Sequence, residues 1–116
     1  MIIDKDKEQD AIIKILEDQS NNAINRSIAG IIYVVASQRY IGATWEEIES
    51  FLEHILNVRL DAEIISRQLN LLIDNNIITY DKERDLYFLS KKYKNMQLKE
   101  IFEDTEIKIL LKANVI

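Results

Sequence analysis

Apolar residues along this chain keep a helical spacing for most of its length and switch once to short continuous runs. Gln9 to Asp18 carries Ile12, Ile13, Ile15 and Leu16, an amphipathic segment too short to stand alone. Gln19-Ser20-Asn21-Asn22 interrupts it with poor helix formers, which predicts a break. Ile24, Ile28, Ile31 or Ile32, and Val35 then recur at i, i+4, i+7 and i+11, predicting a helix to about Arg39. Tyr40-Ile41-Gly42-Ala43 reads as a connector. Thr44 opens the next helix: its hydroxyl can accept from the Glu47 N–H, and the Glu47 carboxylate can reach back to the Thr44 N–H. Trp45, Ile48, Phe51 or Leu52, and Ile55 or Leu56 form the apolar stripe. Asn57-Val58-Arg59-Leu60 makes a turn, and Asp61 caps a further helix whose core stripe is Ile65, Leu69 and Leu72. Asn76 suits the left-handed position that ends it.

The periodicity then changes. Ile77-Ile78-Thr79-Tyr80 and Leu86-Tyr87-Phe88-Leu89 are β-prone runs joined by the polar Asp81-Lys82-Glu83-Arg84-Asp85, a hairpin signal. Tyr80 and Tyr87 are expected to pair across it. A basic stretch follows Ser90. A terminal helix is expected over 97–112, with Leu98, Ile101, Phe102, Ile109 and Leu110 as its apolar positions and a possible break at Asp104-Thr105. The pattern predicts one domain over 1–116, mostly α with a small β-hairpin. Its core spans 23–90, with helical extensions at 1–22 and 91–116.

Composition narrows the chemistry. The 116 residues include no cysteine or proline and only two glycines, with 47% hydrophobic and 30% charged side chains. Without cysteine there is no disulfide framework or thiolate metal site. No apolar run approaches the roughly 18 residues of a membrane span, and the N-terminus lacks the pattern of a secretion signal. A cytoplasmic protein is expected. His54 is the sole histidine, so a His–Cys pair or zinc site is not expected. Two distant glycines make no phosphate loop. Glu46, Glu49 and Glu53 share a helix face without a matching ligand set, and read as a solvated acidic surface. Asp4-Lys5-Asp6-Lys7-Glu8-Gln9 starts like a calcium loop, but Gln9 stands where that loop needs glycine. No enzyme, metal or cofactor is expected.

Residues 23 to 90 nevertheless resemble a known family, the winged helix-turn-helix. The likeness rests on the order of elements and on three short signatures. Ala43-Thr44-Trp45-Glu46-Glu47-Ile48 looks like the start of that family's second helix. Ile65-Ser66-Arg67-Gln68-Leu69-Asn70-Leu71-Leu72 looks like its recognition helix, and Asn76-Ile77-Ile78 like the lead into its wing. Such connectors often hold a very short strand near 40–43. The resemblance implies a small transcription regulator that binds duplex DNA, as a homodimer through its terminal helices. The helix from Asp61 would lie in the major groove and the hairpin on the backbone. Its outward residues would be Ala62, Glu63, Ser66, Arg67 and Asn70. Arg67 would fork onto guanine, Asn70 onto adenine, and Ser66 would meet a phosphate. Lys82 and Arg84 would follow phosphates from the wing, with Lys91, Lys92 and Lys94 behind them. Tyr93 is the one aromatic among those lysines, a further candidate contact.

Charge opens a second reading. The net charge is −5, and residues 44–80 alone hold seven carboxylates against Arg59 and Arg67. Phosphate binding needs a basic face, and only 81–100 is net positive. Ile64 and Leu71 are apolar outside the core stripe and lie seven residues apart on one helix face. They are covered either by the terminal segments or by a second copy or partner. The alternative is therefore a winged-helix protein-interaction module in a larger assembly.

Overall fold

A computed structural model describes residues 23–113. Among them the chain forms five helices and one antiparallel hairpin, in the order α1 (Ala23–Ser37), α2 (Trp45–His54), α3 (Ala62–Asp74), β1 (Ile78–Asp81), β2 (Leu86–Leu89), α4 (Leu98–Glu103) and α5 (Thr105–Ala113). The amphipathic segment expected at Gln9–Asp18 lies outside the described residues.

α1 is the central element. Eleven of its fifteen residues are buried, including Ile28, Ile31, Ile32 and Val35, and α2, α3, α5 and β2 all pack on it. This enclosure explains how a β-branched segment stays helical: burial outweighs its modest propensity. Gly30 lets α2 come close, because a Cβ there would stand 2.6 Å from Leu56 Cδ1 and 2.7 Å from Leu52 Cδ2. The helix ends at Ser37, two residues before the expected boundary. Residues 38–41 turn there, and the Gly42 N–H donates to Gln38 O at 2.6 Å. Gly42 has φ +93°, and a side chain at that position would strike Phe88 and Leu86. Both glycines of the chain thus answer to a close approach or a positive φ.

α2 starts on the capping box that Thr44 and Glu47 predict: the Glu47 N–H donates to Thr44 Oγ1 at 3.1 Å and the Thr44 N–H to Glu47 Oε1 at 3.2 Å. Ile48 and Leu52 face the core, and Phe51 stacks on Tyr33 at 4.8 Å between centroids. α3 buries Ile65, Leu69 and Leu72, as their spacing predicts, together with Gln68. Asp61 occupies the N-cap position in extended conformation, yet its side chain makes no capping hydrogen bond, which corrects the expectation that it caps the helix. The far end closes as expected. Asn76 is left-handed (φ 59°), its N–H donates to Ile73 O at 3.0 Å, and the Ile77 N–H donates to Leu72 O at 2.9 Å.

β1 and β2 pair with Ile78 opposite Leu89 and Tyr80 opposite Tyr87. The two tyrosine rings lie 4.7 Å apart. Ala43 adds a one-residue bridge to Tyr87, with both hydrogen bonds at 2.8 Å, so the connector does carry a minimal strand. After the hairpin, residues 91–96 turn toward the helical end. The terminal helix is divided at Asp104, whose extended backbone (ψ 131°) separates α4 from α5 and whose carboxylate accepts the Glu106 N–H at 2.9 Å. That break resets the apolar phase. Ile107, Leu110 and Leu111 are buried, while Ile109, expected in the stripe, is 60% exposed.

Candidate functional site

The outer surface of α3 follows from its inner one. With Ile65, Leu69 and Leu72 locked against the core, Ala62, Glu63, Ser66, Arg67 and Asn70 are left exposed. Arg67 faces Glu63 one helical turn away, at 3.7 Å, with both side chains well exposed (69% and 83%). An exposed pair of this spacing contributes about 0.3–0.5 kcal/mol, so a stronger acceptor can take the guanidinium at little cost. Beside this row runs an open groove of about 390 Å³ lined by Ile24, Ile64, Leu71, Gln68, Arg67, Asn70 and Asp74. Ile64 and Leu71 do share a face, and they share it with two of the residues expected to meet bases.

Gln68 was not singled out by its sequence. Its clue is a polar residue inside an apolar stripe, and its explanation is Ser27 on α1. The Ser27 hydroxyl stands 2.5 Å from Gln68 Oε1 and 2.6 Å from Ile24 O. One hydroxyl proton serves only one acceptor. With the amide turned over, Gln68 Nε2 donates to Ser27 and Ser27 donates to Ile24 O. The buried Nε2, otherwise without a partner, is then satisfied.

The hairpin tip is braced from within. Asp81 accepts the Glu83 and Arg84 N–H groups and the Arg84 Nε–H, the last at 2.6 Å. The Arg84 guanidinium beside it holds the Asp81 carboxyl below its ordinary value. Arg84 also lies over the Phe88 ring, 5.2 Å from its centroid. Tyr80 donates to Asp85 at 2.5 Å, and this bond pushes the phenol up to about 12. Lys82 is exposed and has no ion pair among the described residues.

The three lysines after Ser90 divide. Lys91 and Lys94 line a second groove with Arg84. Lys92 turns to the helical end, 3.0 Å from Glu106 and 3.5 Å from Asp104, and the Glu106 contact raises its ammonium above its ordinary value. Tyr93 departs from its expected role. Its ring is fully buried, its hydroxyl meets Glu106 at 3.3 Å, and burial pushes the phenol up. An enclosed ring has no face for a base, so Tyr93 anchors the turn. On α2, Glu46, Glu47, Glu49 and Glu53 are exposed. Among the described residues no group of three potential ligands is arranged to hold a metal ion, and no helix is long and apolar enough to cross a membrane.

Comparison of the chain with protein-family models, curated proteins and solved structures returned no match. Any functional reading therefore stands on the surfaces described above.

Proposed function

We propose that this chain is a small winged-helix DNA-binding protein, a transcription regulator that grips duplex DNA with α3 and the hairpin loop. The observation that carries the reading is the exposed row Ser66, Arg67 and Asn70 on a helix whose opposite face is fixed by Ile65, Leu69 and Leu72. The Asn76 turn leads from that helix directly into a hairpin, and the Ala43 bridge supports the hairpin from its other edge. In this mechanism α3 enters the major groove, where Arg67 forks onto a guanine and Asn70 onto an adenine. Arg67 leaves Glu63 as it does so, and Lys82 meets the backbone. A homodimer would set two α3 helices roughly 34 Å apart, one turn of DNA.

The test is enrichment from a random duplex library, followed by anisotropy on the selected site. Arg67→Ala with Asn70→Ala is expected to lose about 1–3 kcal/mol per base contact. No enrichment, together with no binding at low salt, sinks the proposal. One observation favours a second reading as a protein-interaction module: Ile24, Ile64 and Leu71 form an apolar strip in an open groove edged by Asp74 and Arg67. Such a strip suits the apolar face of an amphipathic partner helix.

A further inference from the structure

The second groove lies between the hairpin and the 91–95 turn, encloses about 670 Å³ and concentrates positive charge in an otherwise acidic protein. Its walls carry Arg39, Arg84, Lys91 and Lys94 against the single carboxylate of Asp81. Thr79, Asp81 and Phe88 come from one face of the hairpin, since they alternate with the core-facing Ile78 and Leu89.

Arg39 sets the geometry. It is 8% exposed, and its guanidinium donates to Ala36 O at 2.8 Å, Met96 O at 2.6 Å and Lys94 O at 3.3 Å. All three acceptors are neutral carbonyls. The C-terminal end of α1 offers partial negative charge to it, but among the described residues no carboxylate stands within ion-pair distance of Arg39, Lys91 or Lys94. A nearly buried cation without a counter-charge is costly. Here it also ties the turn that carries Lys94 to the central helix. Lys94 is further positioned over the Tyr40 ring at 5.8 Å. Arg84 is restrained by Asp81 and Phe88.

We infer that this groove is a phosphate-binding site, with Lys91 and Lys94 as its direct ligands and Arg39 as the fixed charge behind them. The site is independent of whether α3 reads DNA. Its phosphate can be a backbone phosphate of nucleic acid or a free phosphate-bearing ligand, since both present the same oxygens to the same donors.

The experiment uses the full chain and two probes. Inorganic pyrophosphate is titrated by heteronuclear NMR, with sodium chloride at matched ionic strength as the reference. Saturable shifts at Thr79, Phe88, Asn95 and the Arg39 Nε–H are expected. Lys91→Gln with Lys94→Gln should weaken pyrophosphate by about tenfold or more, as two charge-assisted contacts are lost. Both lysines are exposed, so the variant keeps the fold, and Lys108→Gln with Lys112→Gln on α5 controls for net charge. In the second arm, duplex DNA is titrated against salt. A slope reduced by about 2 in the double variant assigns the groove to backbone phosphates. An unchanged slope with pyrophosphate binding lost assigns it to a free ligand. Chloride-like shifts with pyrophosphate, together with an unchanged DNA slope, overturn the inference.

Discussion

The outer face of α3 and the groove beside the hairpin handle charge in opposite ways. On α3, Arg67 is matched by Glu63, Asp74 lies close by, and the rest of the groove mixes the apolar Ile24, Ile64 and Leu71 with the amides of Gln68 and Asn70. Beside the hairpin, four cations line a groove whose one carboxylate, Asp81, pairs with Arg84 alone among the described residues. Backbone carbonyls rather than acids hold the most buried of those cations. A helix presents side chains at fixed intervals on a surface already decided by its core face. The second groove is assembled from three separate parts of the chain, so three of its four cations are gathered without an ion pair among the described residues. The comparison suggests a division of labour, with α3 suited to discriminate and the groove suited to attract.

The strongest way to break this contrast is to loosen the platform under α3. Leu72 is fully buried, and Leu72→Ala is expected to cost about 2–5 kcal/mol in denaturant unfolding. A loss under about 1 kcal/mol would mean that α3 is not the rigid element the division requires. A smaller effect separates the two helix starts. Thr44→Ala removes a made capping box and should cost about 1 kcal/mol. Asp61→Ala removes a side chain that makes no capping bond, and should change stability by less than about 0.5 kcal/mol. Equal losses would contradict the observed cap geometry.

Charge on α3 can then be sharpened directly. Glu63→Gln frees Arg67 and deletes an anion from the front of the helix, so duplex affinity in anisotropy should rise about two- to fivefold. A fall would show that Glu63 orients Arg67 productively. The smallest effect belongs to the hairpin. Because the Asp85 bond raises Tyr80 in the folded state, its contribution is complete below the ordinary phenol value. It is lost as pH rises through about 12. Near-ultraviolet absorbance should show late-titrating tyrosines, and Tyr80→Phe should remove one of them while leaving Tyr87 and Tyr93, which burial also raises. An unchanged titration would refute the Tyr80–Asp85 bond.

How legible all this was depends on the distance over which each signal acts. The capping box, the Asn76 turn and the Tyr80–Tyr87 pair are local, and each was readable from neighbouring residues. Periodicity found the buried face of α3 for the same reason. It failed at Ile109, because one residue of extended backbone at Asp104 shifts every later position. The buried Gln68 depends on Ser27, forty-one residues away, and no spacing rule links them. Lys91, Lys92 and Lys94 looked equivalent as a basic run, yet the turn sends Lys92 to α5 and the other two to the groove. Arg39 was overlooked because its relevance depends on carbonyls at 94 and 96. The window sum of charge pointed to 81–100, which supplies Arg84, Lys91 and Lys94, but not to Arg39 from a distant segment.

The most direct test of the central claim is salt-dependent anisotropy on a duplex selected from a random library, comparing the native chain with two variants. Arg67→Ala/Asn70→Ala should abolish preference for the selected site while keeping most of the salt dependence. Lys91→Gln/Lys94→Gln should keep the preference while flattening the salt dependence by about 2 in slope. A native chain that selects no duplex and binds none at low salt would contradict the account of α3 as a DNA-reading helix.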